Sequence, residues 1–205
     1  MKKKLTVKEI LESKGKKKLT QVYVHTPLEA NACEKSEIDM IISSENNNFK
    51  FLRDNAKNTF FTVGLQYGRY LSEYEIIKKS FQLLELGADA IYCPQSARFI
   101  KAIANEGIPV VGHAGFIPYK LTQYGGFRAY GKKFEEAKKI LNEINILQDA
   151  GAFATEIEIV PEEIVEIIYK ETDIFLIGMG SGTICDAQYL FSEDILGYNN
   201  NHIPR

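Results

Sequence analysis

The chain has no tryptophan and only three cysteines, Cys33, Cys93 and Cys185, odd in number and far apart. No CxxC pair and no zinc-like His/Cys spacing occurs. Neither a disulfide framework nor a metal knuckle is expected, and the thiols read as reduced. An excess of one charge is also missing: 25 Lys and Arg against 27 Asp and Glu leave a formal −2. That balance steers neither a polyanion nor a membrane surface to the chain, so no nucleic-acid partner is expected. Lysines cluster at Lys2-Lys3-Lys4 and Lys16-Lys17-Lys18, but no aromatic residue interleaves with them, and a solvated face is the expected reading. No apolar run approaches the ~20 residues of a membrane span. The stretch Met1-Lys2-Lys3-Lys4-Leu5 has no apolar core behind its charges and does not read as a signal peptide. A GxSxG nucleophile elbow is absent. GMGSG at 178–182 falls short of GxGxxG because Thr183 stands where the third glycine belongs. What remains is a chain of 205 residues, 45% hydrophobic, expected to be cytoplasmic and to form one domain over 1–205.

Strand and helix patterns alternate along that chain. Apolar runs at 19–24, 38–42, 59–63, 88–93, 108–111, 153–159, 174–177 and 187–191 read as strands. They are continuous rather than alternating, which indicates parallel strands buried on both faces. Between them lie helix signals. Thr6-Val7-Lys8-Glu9 and Ser72-Glu73-Tyr74-Glu75 are capping boxes. Gly87 and Gly151 suit helix C′ positions, and Pro161 suits a helix N1. The longest helix is expected over 132–150. An open doubly wound sheet and a (β/α)8 TIM barrel compete. Eight strand candidates, with a short N-terminal helix before them, favour a compact barrel, although ~200 residues is near the lower limit for it.

In either fold the strand C-termini carry the chemistry. Strand five runs into Gly112-His113-Ala114-Gly115, so His113 reads as a catalytic candidate or as a satisfied core histidine. Glu158 lies inside an apolar run, Ile157 before it and Ile159-Val160 after. Desolvation there suits a general base or acid, and the alternative is a structural ion pair. Glu156 faces the same way two residues deeper and needs a partner or a proton. The loop with Gly178, Gly180 and Ser181 is a candidate anion cradle of backbone amides. Tyr124-Gly125-Gly126-Phe127-Arg128 reads equally as a lid and as a packed turn.

These motifs bring a family into view. GADA at 87–90, GIPVVGHAGFIP at 107–118, QYGGFRAYG at 123–131, AGAFA at 150–154, EIVP at 158–161, GMGSGTICDAQ at 178–188 and EDILG at 193–197 resemble ketopantoate hydroxymethyltransferase. That family belongs to the phosphoenolpyruvate mutase and isocitrate lyase superfamily. The resemblance implies a (β/α)8 barrel, a homo-oligomer and a place in pantothenate biosynthesis. It implies a reaction in which a 2-oxo acid bound to Mg²⁺ loses a proton beside its carbonyl and gains a one-carbon unit from methylenetetrahydrofolate. The metal stabilises the enolate and a Glu is the base.

Carried over by position, the base is Glu158 and the histidine beside the substrate is His113. The family's Gly-Asp-Ser becomes Ser44-Glu45-Asn46, which makes Glu45 the metal-ligand candidate and Ser44 and Asn46 substrate-binding candidates. Other polar positions are lost: a metal-ligand Asp falls on Gly64, a Glu on Pro94 and a Lys on Tyr92. A hard dication needs several oxygen ligands. Glu45 with Glu158, or with Gln66 or His25, is a thin set, so the Mg²⁺ site is expected to be weak or absent. The enolate would then lean on backbone amides, His113 or Arg69. The expected function is hydroxymethyl transfer to 3-methyl-2-oxobutanoate or related aldol-type chemistry on a 2-oxo acid. The alternatives are another lyase or mutase of the superfamily, and a degenerate paralogue that binds a ligand or partners an active subunit.

Overall fold

Ser/Thr-x-x-Glu sequences start three of the helices. In the computed structural model, which describes residues 2–45 and 48–198, Thr6 caps α1 (Val7–Ser13) and Ser72 caps α4 (Glu73–Glu85), each with its glutamate bonded back. Thr26 does the same for α2 (Pro27–Lys35) through Glu29. Each box satisfies backbone N–H groups that a helix start leaves unpaired.

The remaining elements mostly alternate. They are β1 (Leu19–Tyr23), β2 (Met40–Ser44), α3 (Phe49–Asn55), β3 (Phe60–Gly64), β4 (Ala90–Tyr92), α5 (Ala97–Asn105) and β5 (Val110–Gly115). After them come a 3-10 turn (Pro118–Lys120), α6 (Leu121–Tyr124), α7 (Phe134–Asp149), β6 (Ala154–Glu158), α8 (Glu162–Glu171), β7 (Phe175–Met179), β8 (Ala187–Phe191) and α9 (Ser192–Leu196). Among the described residues, three helical segments lie between β5 and β6 and none between β7 and β8; the eight strands pair in sequence order, all parallel, and β8 closes on β1. The open sheet is thereby excluded and the fold is a (β/α)8 barrel. No helix among the described residues is long and apolar enough to cross a membrane.

Two apolar layers hold it. Met40, Ile42, Phe60, Val111, Phe175 and Ile177 fill the inside of the barrel, with Ile10 of α1 packed among them. Ile41, Phe61, Val63, Ile91, Val110 and Leu176 face outward onto the helices. Residues alternate between the layers along each strand, so every strand reads as unbroken apolar sequence. Each large side chain buried this way contributes about 1.5–3 kcal/mol.

Boundaries moved in informative ways. Strand five does not stop at Val111: Gly112 to Gly115 stay in register with Thr155 to Glu158, so His113 sits within a strand. Pro161 is the N-cap of α8 rather than its first residue. The longest helix starts at Phe134, two residues late. The segment after β5 contains two short helical turns.

Candidate active site

Tyr23, Ser44, Gly64, Tyr92, Glu158, Met179 and Phe191 are the last residues of seven strands, and all seven line one cavity of about 240 Å³ at the C-terminal end of the barrel. The eighth strand, β5, contributes His113. Alternation sends Glu156 and Glu158 to the same inner face of β6, and both line the cavity.

The β5–β6 register sets His113 directly beside Glu156. Nδ1 of His113 is 3.6 Å from Glu156 and Nε2 is 3.3 Å from Glu158. Nε2 also donates to the Phe116 carbonyl oxygen at 2.9 Å, and Nδ1 lies 2.7 Å from the Tyr92 hydroxyl. Burial works against a charged ring here, but the hydrogen bonds and charges of Glu156 and Glu158 outweigh it and push the His113 pKa up to about 10. The two carboxylates thus favour the protonated ring, in which both nitrogens donate. Glu156 is raised, chiefly by burial, and accepts from Gln21 Nε2 at 3.2 Å. Its partner is thus the neighbouring histidine, a pairing that parity along one strand does not reveal.

The turn after Glu158 is strained. Ile159 has φ 50, a left-handed conformation that a β-branched residue rarely adopts. Ile159 N–H donates to Met179 O and its carbonyl accepts from Tyr130 N–H. Gly115 follows the same contour from the other side: a Cβ there would stand 2.6 Å from the Glu158 carbonyl oxygen.

The other sequence candidates divide. Ser44 lines the cavity, 2.5 Å from the Tyr23 hydroxyl. Asn46 lies outside the described residues. Gly178, Gly180 and Ser181 are not brought to the cavity. Gly178 faces Cys185, whose Sγ a Cβ would meet at 2.8 Å, and Ser181 Oγ accepts from Val160 N–H and donates to the Ile157 carbonyl. His25 is exposed and pairs with Glu193. Gln66 lines the cavity, and Arg69 reaches its amide oxygen at 2.9 Å. The segment from Tyr124 to Gly131 is braced as a packed turn: Arg128 makes two contacts with Glu136, and Phe116 packs on Tyr124 and Phe127.

A parallel eight-stranded barrel with paired carboxylates and a histidine at its C-terminal mouth defines the class, a (β/α)8-barrel enzyme with its site at the end where such enzymes carry their chemistry. The chain belongs to the ketopantoate hydroxymethyltransferase family, whose model matches residues 46–205. It is 31% identical over 225 residues to the 3-methyl-2-oxobutanoate hydroxymethyltransferase of Kosmotoga olearia, spanning 98% of this chain and 84% of that one. The Pyrococcus furiosus protein of the same name is 30% identical over 224 residues, 98% of this chain and 79% of that one. The Clostridium botulinum protein is 37% identical over 161 residues, 76% of this chain and 58% of that one. In fold, the chain is similar to 2,3-dimethylmalate lyase, a PEP mutase/isocitrate lyase superfamily member. The TM-score is 0.69 at 12% identity, over 95% of this chain and 84% of that one. The carboxyl transferase domain of Rhizobium etli pyruvate carboxylase gives the same TM-score at 10% identity, over 91% of this chain and 42% of that one.

The Mg²⁺ that the family resemblance implies does not fit the residues present. Both Glu45 oxygens are engaged, one by Gln66 N–H at 2.9 Å, the other by the Tyr70 hydroxyl and by Lys79 Nζ at 3.4 Å. Gly64 and Pro94 carry no donor. Among the described residues no group of three or more His, Cys, Asp or Glu gathers to hold a metal.

Proposed function

We propose that this family member catalyses hydroxymethyl transfer to 3-methyl-2-oxobutanoate or a closely related 2-oxo acid, with Glu158 as the base that forms the enolate. The observation that carries the reading is Glu158 itself, ending β6 at the cavity and paired with His113. Glu158 takes the proton beside the carbonyl. His113 balances the two carboxylates and holds Glu158 in place through the 3.3 Å contact. Ser44 and Gln66 offer neutral hydrogen bonds to the acid group.

A second cleft shares Pro94 and His113 with the cavity and is walled by Tyr67, Gln95, Lys120 and Glu143. Oε2 of Glu143 is buried without a partner. An unpaired acceptor in a cleft that Tyr67 also lines suits the N–H edge of a pterin. Methylenetetrahydrofolate, when bound, supplies the electrophilic carbon, and Glu143 and Tyr67 would hold its ring.

The test is proton exchange in D₂O. The C3–H signal of 3-methyl-2-oxobutanoate is expected to disappear with the wild-type protein and to persist with Glu158→Gln. Exchange by Glu158→Gln at the wild-type rate would refute the assignment.

A further inference from the structure

We infer that the phenolic hydroxyl of Tyr92 is the hydrogen-bond donor that meets the carbonyl oxygen of the bound acid and stabilises its enolate. This rests on the enolate reading above and goes beyond it by naming the electrophilic group.

The direction of one hydrogen bond decides the point. The Phe116 carbonyl oxygen can only accept, so Nε2 of His113 carries a proton. Carboxylates at 3.3 and 3.6 Å from the two ring nitrogens favour a proton on Nδ1 as well. The bond between Nδ1 and Tyr92 at 2.7 Å then runs from the ring to the phenol oxygen. Tyr92 is left holding a hydrogen that it does not spend on His113. Among the described residues its hydroxyl has no second partner, and the side chain lines the cavity. A phenol that accepts from a cation is a stronger donor than a free one. Burial and the charges of Glu156 and Glu158 also hold the Tyr92 pKa well above the usual phenol range, so the proton stays on oxygen.

The surroundings reserve this task for Tyr92. Among the described residues no lysine or arginine lines the cavity. Gly64 is the direct strand neighbour of Tyr92, and a Cβ at Gly64 would press the Tyr92 ring at 3.3 Å. The missing side chain at 64 makes room for the ring. His113 is a positioning residue in this scheme, because both its nitrogens are occupied by protein atoms.

The step balances within the site. Glu158 takes the C3 proton. The C–H electron pair becomes the C2=C3 bond, and the carbonyl π pair moves onto oxygen. Tyr92 donates a hydrogen bond to that oxygen and keeps its proton. The proton on Glu158 exchanges with D₂O, and return of deuterium from Glu158 to C3 completes exchange without a further co-reactant.

The experiment measures exchange of 3-methyl-2-oxobutanoate in D₂O, with EDTA present, for wild type, Tyr92→Phe and Glu158→Gln. Phenylalanine keeps the ring packing, and circular dichroism checks the fold. Tyr92→Phe is expected to lower the kcat of exchange by about 10²–10³-fold, the loss typical of one oxyanion donor. Its KM is expected to change little, a split that a purely structural role would not give. Wild-type exchange lost in Glu158→Gln but kept in Tyr92→Phe would overturn the Tyr92 assignment and leave the base intact. A Tyr92→Phe effect confined to KM would also overturn it. No exchange by the wild type would overturn the enolate reading and this inference together.

Discussion

Gly115 and Glu158 are strand partners whose backbones meet so closely that a Cβ on the glycine would lie 2.6 Å from the glutamate carbonyl oxygen. Gly115 also has φ 85, which other residues adopt at a cost of about 1–2 kcal/mol. Gly115→Ala is therefore expected to destabilise the fold by about 2–4 kcal/mol, combining that cost with overpacking. It should also displace the base and lower exchange sharply. Urea unfolding and the D₂O assay check the two parts; a variant as stable and active as wild type would show that the contact is not held in solution.

The pH dependence follows from His113. Its folded pKa, about 10, lies above the ordinary value near 6.5, so the ring's contribution to stability is complete below pH 6.5. It is lost as pH rises through about 10. The unfolding free-energy difference between wild type and His113→Gln is expected to shrink across that window. The exchange rate should fall above about pH 10, as the ring stops donating to Tyr92. A difference that grows with pH would reverse the sign.

Asp186 ties the barrel closed below the site. Its carboxylate accepts from Lys14 Nζ, Gly15 N–H, the Tyr169 hydroxyl and Leu176 N–H at 2.8–3.3 Å, while its carbonyl accepts from Leu19 of β1. Asp186→Ala strands the Lys14 charge and several donors. A loss of about 3–5 kcal/mol is expected, read as a fall in the urea midpoint with activity per folded molecule preserved.

Calorimetric titration with Mg²⁺ is expected to give no tight, saturable heat, because the Glu45 oxygens are bound to Gln66, Tyr70 and Lys79. Glu45→Gln is expected to lower thermal stability instead. Saturable Mg²⁺ binding abolished by Glu45→Gln would mean that those contacts give way to the cation.

Much of the fold was legible because its signals are local. The boxes at Thr6 and Ser72 read directly, and eight apolar runs favoured the barrel over an open sheet. The box at Thr26 carries the same signal in Thr26-Pro27-Leu28-Glu29 and went unread. At the cavity, Glu158 and His113 could be named one at a time, from their neighbours and from the family resemblance, and both line it. Their relation was not legible, because register between β5 and β6 joins residues more than forty positions apart. Glu156 shows the limit, since its face could be read but its partner could not. At 178–182 the glycines also answer to packing that the sequence does not show: a Cβ at Gly178 would meet Cys185 and one at Gly182 would meet Glu162. The role of Glu45 depends on Tyr70 and Lys79, which no spacing rule connects to it.

The left-handed Ile159 has a mechanical consequence. Its two hydrogen bonds hook the stretch before α7, through Tyr130, and the end of β7, through Met179, onto the single residue that follows Glu158. A substitution that relaxes the kink is therefore felt at all three segments at once, the base-bearing end of β6 among them.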